Sequence, residues 1–259
     1  VNLVAPILVF VFLLAPGIRL LALARKTRQA PELWGGLYFL GASFGISLRV
    51  FGASAQFDMP EAALLANSIG HVGLATGTVA MASFTQRVFH QESGRAKTFA
   101  RVLGSGIAVT TLWTLVGGHV MVENSAAVIS TNTLRIVPTA WAFFESFRYW
   151  RAMKKRGALG LADPVVTNRF LLWSIWTAGV SIMPALALAI RLAAMVLLPD
   201  LGNPSEAQAT YQPQIMAFVR VVFLVVVPAS VVALMLAFFP PRSYVARIRG
   251  ADGTVPRAA

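Results

Sequence analysis

Arg49, Arg135, Arg191 and Arg220 each lie inside a long apolar stretch or within a turn or two of its end, where a charge is costly. A guanidinium holds five N–H donors in a rigid fork and grips carboxylate or phosphate through two parallel hydrogen bonds. The chain keeps this residue type apart from lysine: Lys26, Lys97, Lys154 and Lys155 all fall on the other side of the apolar stretches. His71 and His119 occupy neighbouring stretches at similar depth, with Asn67 one turn from His71. The expectation is a ligand-binding site for an anionic or amphipathic small molecule, assembled from Arg49, His71, His119, Arg135, Arg191 and Arg220. The competing reading is that these arginines snorkel to lipid headgroups or pair with Asp58, Glu61, Glu123, Asp200 and Glu206 in the adjoining loops.

Other chemistry is sparse. Glu145 is the only acid within an apolar stretch, one turn before Arg148, so it is expected either to form an ion pair along its own helix or to act as a cation-coupling carboxylate. With no cysteine in the chain, thiolate ligands and thiol nucleophiles are absent; His71 and His119 could both ligate one haem or metal ion, but two histidines alone leave a zinc or copper site incomplete. Neither a metal nor a cofactor is expected. Gly41-Ala-Ser43-Phe-Gly45 spells a nucleophile elbow, but that motif needs a strand-to-helix turn with a histidine and an acid beside it. No catalytic residue is assigned and the chain is not expected to be an enzyme. Pro138, Pro184 and Pro228 fall inside apolar stretches and are candidate kinks or helix hinges, because proline removes a helical hydrogen bond.

Seven apolar stretches must position these groups, roughly residues 2–24, 34–53, 62–89, 99–122, 134–153, 170–198 and 216–239. Each approaches or exceeds the ~20 residues a helix needs to cross ~30 Å of hydrocarbon. A composition of 57% hydrophobic and 12% charged residues excludes an ordinary soluble domain, and runs of this length exclude the short alternating strands of a barrel. The predicted fold is an all-α integral membrane protein, a seven-transmembrane helix bundle over residues 1–241, followed by a basic, partly disordered tail over 242–259. Small residues at Gly41, Gly45, Gly73 and Gly77 have the spacing of close helix packing in lipid.

Eighteen of the twenty-two basic residues lie in the odd-numbered connections and the tail, which places the N-terminus outside and the C-terminus in the cytoplasm. The first stretch has no basic region before it and is expected to remain as a span rather than to be cleaved. The net charge of +12 is therefore topological and does not point to nucleic acid, though it suits anionic headgroups of the inner leaflet. The third cytoplasmic connection, residues 157–173, is unusually apolar. Asp163 and Pro164 are expected to cap and start the sixth helix there, and the segment is also a candidate contact for a cytoplasmic or membrane protein partner.

Seven spans with an outer N-terminus resemble the layout of microbial rhodopsins and G-protein-coupled receptors, but residues 216–239 hold no lysine for a retinal Schiff base. The expected role is a receptor-like or sensory module of a bacterial cytoplasmic membrane, binding an anionic ligand from outside. The alternatives are a small-solute transporter or channel, and a structural subunit of a membrane complex.

Overall fold

A computed structural model of the chain describes residues 4–122, 125–197, 221–222 and 224–251. Among them the regular structure is all α-helical: α1 Val4–Thr27, α2 Ala30–Ala55, α3 Pro60–Phe89, α4 Gly94–Val116, α5 Ala126–Gly157, α6 Pro164–Leu197, α7 Leu224–Phe238 and α8 Arg242–Ala251. Each apolar stretch holds one of the first seven helices. Among the described residues, three helical segments are both long and apolar enough to cross a membrane: Ala30–Ala55, Gly94–Val116 and Pro164–Ile190. A fourth is added if α7 and α8, bent 85° apart, count as one broken span. Helices α3 and α5 have the length, with 30 and 32 residues, but interleave Asn, His, Thr, Ser and Arg among their apolar residues.

Several helix ends differ from the hydropathy reading, for local reasons. The apolar run suggests α4 continuing to Val122, yet it stops at Val116. Gly118 takes φ 69°, Gly118 N–H donates to Leu115 O and His119 N–H to Thr114 O, the paired bonds of a Schellman motif. Helix α5 begins at Ala126, eight residues before the apolar run starts at Leu134. Its polar first turns stay helical because Ser125 Oγ accepts from Val128 N–H and Thr131 Oγ1 donates to Ala127 O. Helix α6 starts at Pro164, and Asp163 Oδ1 caps it by accepting from Val165 N–H at 2.7 Å.

The chain divides into two compact units, Val1–Trp141 and Ala142–Ala259, with the boundary inside α5. In the first unit α2 packs on α1 and α3, and α3 on α4. The α2 and α3 backbones nearly touch: a Cβ added at Gly41 would fall 2.6 Å from Gly73 O and Gly77 N, and one at Gly45 would fall 2.6 Å from Leu74 N. Only glycine permits that approach. Ala75, Ala82, Leu103 and Ile107 form a buried core between α3 and α4, with Leu134 and Trp141 of α5 packed against it.

In the second unit Gly179 of α6 faces Ser230 of α7, and Trp173 meets Phe238 edge-on at 5.7 Å. Helix α8 covers residues 242–251 of the basic tail. Its Tyr244, Val245 and Ile248 are half-buried while Arg242, Arg247 and Arg249 are exposed, and Tyr244 Oη accepts from Asn168 Nδ2 of α6 at 2.7 Å. Helices α5 and α6 run unbroken through Pro138 and Pro184. Pro138 is fully buried, and Pro228 lies in the first turn or so of the described part of α7.

Candidate functional site

Four helices of the first unit converge on Arg135. This residue lies about 13 Å along α5 from its start, at 1.5 Å per residue, and is 7% exposed. Its Nη2 donates to His71 O at 2.8 Å and to Thr111 Oγ1 at 3.3 Å, and its Nη1 lies 3.2 Å from His71 Nδ1. Arginine has no acceptor, so Nδ1 must be the unprotonated ring nitrogen and the ring proton of neutral His71 is assigned to Nε2. His71 is completely buried on α3.

The second cation comes from α2. A Cβ placed at Gly70 would lie 2.7 Å from Arg49 Cγ, so the Arg49 stem lies across the α3 backbone one residue before His71. From there its charge acts on both His71 and Arg135. The glycine contact of α2 and α3 makes this possible, because a side chain at position 70 would displace the arginine.

The locus is rich in donors. Among the described residues, His71 Nε2 and Arg135 Nε are buried and meet no acceptor, and every hydrogen-bond partner of Arg135 is neutral. A desolvated guanidinium without a counter-charge is expensive, and the remedy is an anion or a group that accepts from both orphan N–H bonds. One turn along α3, buried Asn67 donates to Ala63 O at 3.0 Å and to Met121 Sδ at 3.4 Å. The segment after α4 thus closes over this end of α3. Thr114 and Thr131, both fully buried, join α4 to α5 through their hydroxyls at 3.1 Å.

Of the six residues expected to form the site, the structure gathers Arg49, His71 and Arg135. His119 sits in the turn after α4, half-buried and edge-on to Trp113 at 6.4 Å, where the Schellman end of α4 has carried it out of the helix. The side chain of Arg191 and the whole of Arg220 lie outside the described residues. Among the described residues no three or more His, Asp or Glu side chains gather in a metal-binding group. Glu145 is half-buried and belongs to the second unit. Ser43 is buried in mid-helix and donates to Phe10 O of α1 at 2.9 Å, so no strand-to-helix turn surrounds it.

Thr111 is the site residue that sequence reasoning missed. Its signal was present as a polar stripe: Thr111 and Thr114 are three apart on α4, Thr131 and Arg135 four apart on α5, and each pair lies on one helix face. Comparison with protein-family models, characterised proteins and solved structures found no match to this chain.

Proposed function

We propose that the chain is a seven-helix protein of a bacterial cytoplasmic membrane, N-terminus outside and tail inside, that acts as a receptor-like module for a small anion or amphipathic acid. The observation that carries this reading is a buried arginine whose partners among the described residues are all neutral, with a second arginine and an orphan histidine N–H beside it. The locus lies in the half of α2, α3 and α5 nearest residues 56–60 and 126, the half that the distribution of basic residues assigns to the outside. A carboxylate is the favoured ligand group, because two oxygens can accept from Arg135 Nε and His71 Nε2 while the tail contacts apolar helix faces.

The test is thermal unfolding of detergent-purified protein with added acetate, octanoate or phosphate at constant ionic strength. A carboxylate should raise the unfolding temperature of the unaltered protein. Arg135→Gln and, as a milder change, Arg49→Gln should abolish that rise, and Arg249→Gln should keep it. If no anion shifts the unfolding temperature, or if all three variants respond like the parent, the ligand reading fails and the cluster is structural.

A further inference from the structure

A second concave site lies in the first unit at the other end of α3, about 22 Å along that helix from His71, taking 1.5 Å per residue to Gln86. It is a cleft of about 780 Å³ between the first turn of α2, the last three turns of α3 and the first three turns of α4. Its chemistry is graded along the helices. Val79, Gly104 and Ser105 line the part farthest from the helix ends, where a Cβ on Gly104 would already touch Val79 at 3.4 Å. Arg87, Gln86 and Lys97 line the part near the helix ends, with Ser83, Ala100 and Arg101 between. All three cations are exposed.

Arg87 is positioned as well as present: its guanidinium lies over the Trp34 ring at 5.6 Å, which holds it beside the start of α2. That start has Pro31 in its first turn and no side-chain cap from Gln29, and Glu32 in the same turn offsets part of its dipole. No carboxylate lines the cleft. The two nearest acids in sequence are Glu32, hydrogen-bonded to the Thr27 hydroxyl, and exposed Glu92 in the α3–α4 turn.

We infer that this cleft binds a phosphate ester, with the phosphate between Arg87, Lys97 and Arg101 and the first carbons of the esterified group against Val79 and Gly104. Three cations with no acid select an anion, the hydroxyls and amide of Ser83, Gln86 and Ser105 suit a polar ester, and the volume fits a headgroup-sized molecule. The ester reaches the cleft either as the headgroup of an acidic phospholipid or as a soluble metabolite of the same chemistry. The site does not depend on the Arg135 locus, and the two can fail separately.

The experiment uses the full chain in neutral detergent and reads unfolding temperature together with lipid retention in native mass spectrometry. The probes are short-chain phosphatidic acid, short-chain phosphatidylcholine, glycerol 3-phosphate and inorganic phosphate. Phosphatidic acid should protect more than phosphatidylcholine. Protection by glycerol 3-phosphate as well would assign the site to soluble esters, and protection by the lipid alone would assign it to the bilayer. The combined variant Arg87→Gln, Lys97→Gln, Arg101→Gln should weaken binding by about tenfold or more, the loss expected when at least one charge-assisted hydrogen bond goes. The same charge removed elsewhere, by Arg148→Gln, Arg151→Gln and Lys155→Gln, should leave affinity within about threefold, because none of these residues lines the cleft. Should the combined variant fold poorly, Lys97→Gln and Arg101→Gln taken singly carry the same comparison. Equal losses in cleft and control variants, or no protection by any phosphate probe, would overturn the inference.

Discussion

At the scale of single residues, the contact between Arg135 and His71 makes a prediction about signs. His71→Ala takes one acceptor from a buried guanidinium and should destabilise the protein by about 1–3 kcal/mol in detergent unfolding, the cost of an unmet buried group. Arg135→Met removes the buried charge and fills its space with apolar atoms, which is commonly neutral or stabilising by about 1–4 kcal/mol. A protein that becomes more stable when Arg135 is replaced, and loses its response to carboxylates in the same step, retains that charge for binding. Destabilisation by both variants would instead make the pair a structural tie. The convergence of Arg49, His71 and Arg135 was legible in the sequence because each is a polar exception in an apolar run. His119 met the same criterion, and its position is set by the glycine pair before it rather than by helix depth.

At the scale of elements, close approach of α2 and α3 sets what else can change. Gly41→Val would press a branched side chain into the α3 backbone, and backbone atoms cannot rotate out of the way. The expected loss is at least about 2 kcal/mol, in the range for overpacked cores. Gly94→Ala, in the first turn of α4 with nothing within 4 Å of the added Cβ, should gain about 0.4–1 kcal/mol by restricting the unfolded chain. Unfolding midpoints of the two variants measured side by side check both. Asp163→Ala should cost about 1 kcal/mol through loss of the α6 cap. That cap could be read from Asp163 and Pro164 alone, because both act within one turn. The start of α5 could not. A run such as Ser130-Thr131-Asn132-Thr133 looks like a loop by polarity, and only in the folded chain do Thr131 and Thr133 hydroxyls return to their own helix carbonyls.

At the scale of the whole molecule, orientation is the claim with the widest consequences. A reporter active only in the cytoplasm should work when fused after Arg249 or inserted at residues 95–97, and fail within residues 200–208. The opposite pattern would invert the chain and put the Arg135 locus on the cytoplasmic side. Hydropathy placed a helix in each of the seven apolar stretches, but it overstated how uniformly apolar they are. Helices α3 and α5, which supply His71 and Arg135, interleave polar residues and are not among the three segments apolar enough to cross a membrane. Their polarity is what a site between helices requires, so the elements least obvious as spans carry the most chemistry.

The 85° break between α7 and α8 constrains how the second unit sits in lipid. If α7 stands across the bilayer, α8 lies nearly in its plane, with Tyr244, Val245 and Ile248 partly sheltered and three arginines exposed at headgroup level. The arrangement works as a flange. A helix that ends in a flange cannot slide through the bilayer when the hydrocarbon thins or thickens, and the hydrogen bond from Asn168 to Tyr244 extends the restraint to α6. A change in bilayer thickness must then be taken up by tilt of these helices, at a cost of fractions of a kcal/mol per Å of mismatch. With α7 across the bilayer, the second unit would then respond to membrane thickness without a ligand.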